Sequence, residues 1–429
     1  MSHIVIIGNG ISGITAARHI RKRSDDRITV ISGETDYFFS RTALMYIYMG
    51  HMKFEHTQPY EEWFWDKNKI ELKKAWVKQI VSAEKKIVFD DGHEFQFDKL
   101  ILALGSKPNK FGWPGQDLKG VSGMYSAQDL EYIEKYTEGI KRGVVVGGGL
   151  IGIELAEMMH SRGIAVTFLV REPSFWNIVL PPEESSMINQ EILDQNVDLR
   201  LSSELKEIVA DTNGRVEAII TGDGERIECQ FVGLTAGVSP NVGLLAESGI
   251  DTNRGILVDE NLETNVKGIY AIGDCAEFKT PLPNRRPIEQ VWYTGRMHGE
   301  TVARSITGDI TAYNPGLWFN SAKFFDIEYQ TYGTVLGQLQ EGEAQFYWEH
   351  KSGKKCIKIV FDEATNVVKG INVFGLRMRH EVWDKWLIEK RELKYVITHL
   401  REANFDPELY IKHEKEIQAQ FAVNEMVLA

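Results

Sequence analysis

Short apolar runs alternate with helix-like segments in two stretches of the chain. His3–Ile7 is typical of a buried parallel strand, because parallel strands covered on both faces are apolar throughout. The predicted strand, helix and strand span 3–7, 14–20 and 28–31 in the first stretch and 143–146, 153–161 and 166–170 in the second. The repeated order predicts an α/β fold with two Rossmann-like units.

The pattern changes beyond Tyr313. Residues 344–348, 357–361 and 367–373 have the composition of antiparallel strands, the first two joined through Ser352-Gly353-Lys354. A helical tail from about Glu381 ends the chain. We therefore expect a C-terminal α+β domain, in which the stretch around 318–327 packs rather than catalyses.

A glycine-rich loop joins the first strand to the helix in each unit. The loops are Gly8-Asn9-Gly10-Ile11-Ser12-Gly13 and Gly147-Gly148-Gly149-Leu150-Ile151-Gly152. Such loops turn sharply, let the backbone approach a pyrophosphate, and aim helix N–H groups at its phosphates. A single loop of this kind would be a weak signal, but two in matching contexts predict two bound dinucleotides.

The residues that follow the second strand of each unit are candidates for binding the ribose of the dinucleotide. Glu34 follows Gly13 by 21 residues, where a carboxylate is expected to meet a ribose hydroxyl. In the second unit Arg171 is followed by Glu172. An arginine suits a 2′-phosphate and a glutamate a free 2′-hydroxyl, so the choice between NADH and NADPH stays open.

Composition narrows the class of protein. A chain of 429 residues is expected to hold two to four domains, and its net charge of −12 argues against nucleic acid or an anionic membrane as main partner. No segment has the pattern of a signal peptide or a spanning helix, so we expect a cytoplasmic protein. Cys229, Cys275 and Cys356 lack C-x-x-C spacing, which argues against a local zinc site or redox dithiol, and no metal is expected.

Three further stretches, together with the loops, resemble the pyridine nucleotide-disulfide oxidoreductase superfamily. They are 97–106 with Ala103 and Gly105, 234–241 with Gly237, and 268–274 with Gly273 and Asp274. The resemblance implies that the first fold holds FAD, with Asp274 binding its ribityl chain, and that an inserted second fold holds NADH or NADPH.

The resemblance also implies domain bounds. The FAD domain would comprise 1–110 and 250–312, the NAD(P) domain 111–249, and a C-terminal interface-type domain 313–429. Homodimerisation through the last domain is the superfamily habit, although some relatives are monomers.

Further site residues are implied in the same way. Glu154 matches a glutamate near the nicotinamide, Arg41 an arginine near the FAD phosphates, and Gln290-Val291-Trp292 the start of a helix that approaches the flavin. Trp292 could shield the flavin or only pack its helix. Tyr46 stands where ferredoxin-reductase relatives often have a lysine, and either an active-site hydrogen bond or core packing suits it.

The segment Phe38–Tyr46 has no cysteine where disulfide reductases carry theirs. It is similar instead to ferredoxin, rubredoxin and putidaredoxin reductases and to the flavin part of NAD(P)H nitrite reductases. The expected function is an FAD-dependent NAD(P)H oxidoreductase that passes hydride to flavin N5 and then electrons to a small iron-sulfur or rubredoxin-type protein, or another non-disulfide acceptor.

Three alternatives stay open. A thiol, persulfide or coenzyme A disulfide reductase would need a cysteine such as Cys275. A peripheral quinone reductase would need an amphipathic membrane face, for which Trp383–Phe421 is the candidate. A nucleotide-binding signalling flavoprotein resembling apoptosis-inducing factor would turn over slowly.

Overall fold

The computed structural model describes residues 2–283, 285–405 and 411–428. They fall into two units, the first running to Lys141 with Ile208–Ala218 and Cys229–Pro315, and the second comprising Arg142–Glu207, Ile219–Glu228 and the chain from Gly316 onwards. The three-domain division expected from the sequence stays a prediction.

The strands, in chain order, are β1 His3–Ile7, β2 Arg27–Ser32, β3 Ile70–Lys74, β4 Val77–Val81, β5 Lys86–Phe89, β6 Glu94–Gln96, β7 Lys99–Leu102, β8 Ser106–Pro108, β9 Val121–Ser122, β10 Arg142–Val146, β11 Ala165–Val170, β12 Asp198–Leu201, β13 Leu205–Ala210, β14 Val216–Thr221, β15 Arg226–Glu228, β16 Phe231–Leu234, β17 Val238–Pro240, β18 Ile256–Val258, β19 Ile269–Ala271, β20 Ala276–Phe278, β21 Phe319–Phe324, β22 Ile327–Gly333, β23 Glu343–Glu349, β24 Cys356–Asp362 and β25 Val368–Phe374.

The α-helices are α1 Ile11–Arg21, α2 Leu44–Tyr48, α3 Trp63–Lys67, α4 Ala127–Thr137, α5 Leu150–Ser161, α6 Pro182–Asp194, α7 Trp292–Ile306, α8 His380–Ile388, α9 Leu393–Thr398, α10 Leu400–Ala403 and α11 Glu414–Leu428. Among the described residues, none of them is long and apolar enough to cross a membrane.

A parallel five-stranded sheet forms the centre of the first unit, in the order β19-β7-β1-β2-β3. Ile4, Val5 and Ile6 of β1 are fully buried, as expected of a strand covered on both faces. Ile7 is in register with Ile31 on one side and Leu102 on the other. The carboxyl ends of β1, β7 and β19 therefore meet at one edge, where open α/β sheets bind ligands.

Helices α1 and α7 of the first unit pack closely because glycine replaces side chains at their contact. A Cβ atom on Gly299 would lie 2.6 Å from the carbonyl oxygen of Ser12, and one on Gly295 would lie 2.7 Å from the Ser12 hydroxyl. The close packing brings the start of α7 beside the start of α1.

The second unit contains the second glycine loop and a separate antiparallel sheet. Strands β10, β11 and β12 are parallel neighbours, with Val146 in register with Leu169. The antiparallel sheet has the order β21-β22-β25-β24-β23. Helices α8 to α11 follow, and Trp383 and Trp386 of α8 lie buried in the core of this part. The three strands predicted between 344 and 373 are confirmed as β23, β24 and β25.

Candidate functional site

The first glycine loop connects β1 to α1 at the carboxyl edge of the sheet. Gly8 has a φ of 111°, and a Cβ atom on it would lie 2.1 Å from the carbonyl oxygen of Ala103. A Cβ atom on Gly13 would lie 2.0 Å from the carbonyl oxygen of Gly8. Both positions therefore require glycine, since any side chain would collide with backbone.

Gly10 lies in different surroundings. No protein atom comes within 4 Å of the place where its Cβ would be, and it caps the N-terminus of α1. The unpaired N–H groups of the first helical turn, which begins with Ile11 and Ser12, face this open approach. A helix N-terminus with a glycine-lined approach binds phosphate well, so the loop fits a dinucleotide pyrophosphate.

Glu34 and Arg41 form a partly buried ion pair. Nη2 and Nη1 of Arg41 lie 2.6 and 2.8 Å from the two carboxylate oxygens of Glu34, and the N–H of Ala127 donates to Glu34 Oε1 at 3.0 Å. The predicted roles of Glu34 at a ribose and Arg41 at phosphates stay predictions. A ribose hydroxyl that donates to Glu34 would share the carboxylate with these donors.

Asp274 follows β19 through Gly273, whose φ is 71°. The Tyr125 hydroxyl donates to Asp274 Oδ2 at 3.1 Å and accepts the N–H of Ser106 at 2.9 Å. Burial raises the pKa of the Asp274 carboxyl, while the Tyr125 hydroxyl and the Arg41 guanidinium lower it by less. The carboxyl is thus held in place beside the carboxyl edge of the sheet, as binding of a polyol chain would require.

Tyr125 is a site residue that the sequence did not reveal. Its ring lies 4.6 Å from the Arg41 guanidinium carbon, and its carbonyl oxygen accepts from Arg41 Nη1 at 2.5 Å. The residue therefore connects Arg41 to Asp274. Because it precedes α4 in a loop, 149 residues before Asp274, no local pattern marks it.

The predicted site residues Ala103, Gly105 and Gly237 lie where β7 and β16 end. The Ala103 N–H donates to the carbonyl of Ile7 at 2.8 Å, beside Gly8. Gly105 and Gly237 both have positive φ, of 66° and 84°, and the strands that follow them, β8 and β17, pair with each other. The predicted stretches 97–106 and 234–241 therefore come together.

The predicted segment Gln290-Val291-Trp292 begins α7, with Val291 as its N-cap. The Gln290 amide donates to the Ser106 hydroxyl at 2.7 Å, and the N–H of Ser106 in turn donates to the Tyr125 hydroxyl. The rings of Trp292 and Tyr293 pack edge to face with centroids 5.5 Å apart. Whether these rings shield a flavin stays a prediction.

Tyr46 belongs to α2 and is partly buried, with its ring stacked 6.1 Å from that of His51. This contact is compatible both with an active-site hydrogen bond from Tyr46 and with core packing. Its catalytic role stays a prediction.

The second glycine loop repeats the geometry of the first. Gly147 has a φ of 120°, a Cβ atom on Gly148 would lie 2.6 Å from a methyl of Val170, and Gly149 has no protein atom within 4 Å of its Cβ position. Gly149 caps α5, which begins with Leu150. The open glycine again lies at a helix N-terminus, so this loop also fits a pyrophosphate. The contributions predicted for Leu150, Ile151 and Gly152 stay predictions.

Arg171 and Glu172 pair with each other at the end of β11. Arg171 Nη2 lies 2.8 Å from Glu172 Oε1, and the arginine side chain is 71% exposed. The cation and the acid that favour opposite nucleotides are thus adjacent and paired.

Glu154 lies in the first part of α5. Burial raises the pKa of its carboxyl to about 7, with a smaller contribution from the negative charge of Glu157. A carboxyl that changes charge near neutral pH is typical of functional sites, although its assignment to the nicotinamide stays a prediction.

All three cysteines are fully buried, and none of them forms a disulfide. Cys275 donates its S–H to the carbonyl of Ile272 at 3.3 Å, and burial raises its pKa to about 12. The reactive form of cysteine is the thiolate, so a buried thiol with this pKa is inert at neutral pH.

One group of possible metal ligands occurs in the described part of the chain, namely His350, His413 and Glu416. Nδ1 of His350 accepts the N–H of Ser352 at 3.2 Å, and Nε2 of His413 lies 3.0 Å from the Lys355 ammonium. Metal-bound imidazoles donate through their other nitrogen rather than accept. These contacts therefore suit histidines that form hydrogen bonds within the protein rather than bind a metal.

Comparison with known proteins agrees with this geometry. The sequence profile of the family described as "Pyridine nucleotide-disulphide oxidoreductase" matches residues 2–299. The chain is 32% identical over 280 residues to nitrite reductase [NAD(P)H] of Bacillus subtilis, an alignment that covers 64% of this chain but only 34% of the relative. The chain thus spans about a third of that relative's length.

Two further similarities cover most of both chains. Rubredoxin-NAD(+) reductase of Ectopseudomonas oleovorans is 27% identical over 311 residues, which is 72% of this chain and 80% of the relative. The crystal structure of a ferredoxin reductase for the CYP199A2 system of Rhodopseudomonas palustris superposes with a TM-score of 0.79 at 24% identity, covering 87% of this chain and 91% of that one. The predicted fold class is confirmed.

Proposed function

The chain belongs to the pyridine nucleotide-disulphide oxidoreductase family and is an FAD-dependent NAD(P)H oxidoreductase, and we propose that it delivers electrons to a small ferredoxin- or rubredoxin-type protein. The observation that carries this proposal is the absence of a cysteine from 38–46, together with the burial of Cys275. A dithiol or mixed-disulfide route needs an accessible thiolate.

The residues around the first loop have separate tasks in this proposal. Backbone N–H groups at Ile11 and Ser12 bind the pyrophosphate of FAD, Glu34 binds a ribose hydroxyl, and Asp274 holds the ribityl chain. When bound, FAD accepts a hydride from the reduced nicotinamide and can release electrons singly. The protein contributes alignment and a fixed electrostatic environment.

The second loop holds the nicotinamide donor in the same proposal. The first-turn N–H groups of α5 bind its pyrophosphate, and Glu154 orients the carboxamide. Arg171 and Glu172 set the preference between NADPH and NADH.

The choice of acceptor is supported by those relatives that are ferredoxin or rubredoxin reductases. The rubredoxin-NAD(+) reductase aligns over most of its length, whereas the nitrite reductase aligns over a third of its own. A cytoplasmic location is also proposed, supported by three cysteines that form no disulfide, since disulfides are rare in reducing compartments.

The proposal is tested with the purified yellow holoprotein by stopped-flow absorbance. We expect NADH or NADPH to bleach the flavin and a ferredoxin or rubredoxin to reoxidise it faster than dissolved oxygen does. Parallel assays replace the carrier protein with coenzyme A disulfide, a quinone in lipid vesicles or oxygen alone, and so test the alternative electron acceptors. Faster turnover with any of these than with every carrier protein would reject the proposed acceptor.

A further inference from the structure

A buried histidine holds the turn that presents Asp274. His298 lies in the middle of α7 and is 2% exposed. Its Nδ1 accepts the backbone N–H of Gly273 at 3.1 Å. Since Nδ1 accepts, the proton of the neutral ring is on Nε2, and the imidazole is fixed in one tautomer.

The surroundings of the ring keep it neutral and immobile. Tyr313 packs edge to face against it with centroids 4.4 Å apart, and Phe278 does so at 5.6 Å. Burial, with a smaller contribution from the positive charge of Arg285, lowers the pKa of His298 to about 3. The ring is therefore a permanent hydrogen-bond acceptor at any physiological pH and takes no part in proton transfer.

The turn that His298 holds has little freedom on its other sides. A Cβ atom on Gly273 would lie 2.2 Å from the Ser12 hydroxyl, and the Cys275 thiol donates to the carbonyl of Ile272. Gly273 is thus confined between α1, α7 and its own strand. Gly273 directly precedes Asp274, so the orientation of the Gly273 backbone affects where the Asp274 carboxylate points.

We propose that His298 is a positioning residue for FAD, which acts by anchoring the Gly273 amide and thereby orienting the Asp274 carboxylate toward the ribityl chain. This inference rests on the proposed FAD site and adds a residue that makes no contact with the cofactor. It assigns α7 a second task besides packing on α1, because the same helix carries Gly295, His298 and Gly299 at helical spacing.

The test measures FAD binding to apoprotein by flavin fluorescence quenching, so it does not depend on turnover. His298→Leu removes the acceptor with similar volume and is expected to weaken FAD binding about tenfold. His298→Gln can again offer an oxygen to the Gly273 N–H and is expected to recover most of the affinity. Tyr313→Phe is the matched control, because it touches the same ring but not Gly273, and should change affinity less than about twofold.

A double variant separates positioning from general stability. In the Asp274→Asn background, His298→Leu is expected to add little further loss, because its effect passes through the carboxylate. Circular dichroism confirms that each apoprotein is folded at the assay temperature. Unchanged affinity in His298→Leu, no recovery in His298→Gln, or fully additive losses in the double variant would each overturn the inference. Failure of the unaltered protein to bind FAD would instead reject the proposed function.

Discussion

Two glycines of the first loop differ in what a methyl group would meet. On Gly10 it would enter open space, whereas on Gly13 it would lie 2.0 Å from the Gly8 carbonyl oxygen. We expect Gly10→Ala to leave apoprotein stability within about 0.5 kcal/mol and to weaken FAD binding at least about tenfold. Gly13→Ala should lower stability itself, by about 1–3 kcal/mol. Thermal unfolding of the apoproteins and FAD titration check both, and equal stability of the two variants would contradict the expectation.

Nucleotide preference should depend on the Arg171–Glu172 pair. The Glu172 carboxylate competes with a 2′-phosphate for Arg171 and repels it, so Glu172→Gln should raise the ratio of kcat/KM for NADPH over NADH by about tenfold. Arg171→Gln should lower the same ratio. Steady-state kinetics with both nucleotides measures it, and a shift in the same direction for both variants would show that the pair does not set the preference.

The pKa of Glu154 predicts a pH dependence. With a pKa of about 7, the carboxyl is mostly protonated at pH 6 and mostly ionised at pH 8, and only the ionised form is a strong acceptor for the carboxamide N–H groups. The KM for the nicotinamide nucleotide should therefore fall by up to about tenfold between pH 6 and pH 8. In Glu154→Gln this dependence should disappear. A variant that keeps the full pH profile would assign the titration to another group.

At the residue scale, the sequence predicted groups whose role depends on local backbone. Gly8, Gly10 and Asp274 lie in the turns that follow β1 and β19, Gly13 lies in the first turn of α1, and the structure brings them to one edge. Tyr125 and His298 could not be predicted, because their importance comes from contacts with residues distant in sequence, such as Asp274, 149 positions after Tyr125, and Gly273, 25 positions before His298.

At the scale of elements, α6 and the antiparallel sheet of the second unit are joined by buried and half-buried polar and charged side chains. The Lys358 ammonium, 1% exposed, lies 2.7 Å from Glu183, and the Asn372 amide donates to Glu184 Oε2 at 2.7 Å. Lys354 pairs with Glu191 in the same way. Burying single charges is costly, so removing one partner should have a larger effect than at the surface.

Glu184 should make this junction sensitive to pH. Burial raises its pKa to about 8, so the folded protein holds a proton that the unfolded chain releases above pH 4.5. Its stabilising contribution is complete below that pH and declines as pH rises to about 8. The fall in Tm between pH 5 and pH 8 should thus be several degrees smaller in Glu184→Gln. Glu183→Gln, which leaves the Lys358 ammonium without its carboxylate partner, should lower Tm at every pH. A smaller fall in Tm between pH 5 and pH 8 in Glu183→Gln than in Glu184→Gln would contradict this account.

Elements with strong periodicity could be predicted, and elements defined by pairing could not. The predicted strand at 143–146 is β10, one residue longer, and the helix at 153–161 begins earlier, at Leu150. The small antiparallel sheet of β4, β5 and β6 was not predicted, because its strands are short and carry exposed charged residues. Such strands are defined by their neighbours rather than by their own pattern.

At the scale of the whole molecule, the proposed route of electrons uses no cysteine thiol of this chain. Cys275 is the cysteine nearest to the predicted flavin-binding residues in sequence, and its S–H donates to the carbonyls of Ile272 and Leu102. Serine can make the same hydrogen bonds, so Cys275→Ser should retain the rate of carrier reduction within about twofold. A thiolate mechanism would lose at least about a thousandfold, because serine is not ionised at neutral pH. Carrier-reduction kinetics checks the rate, and mass spectrometry of enzyme quenched during turnover with coenzyme A disulfide should find no adduct. A mixed disulfide on Cys275 would show that the buried thiol becomes accessible during turnover. The proposed electron acceptor would then be a disulfide and not a carrier protein.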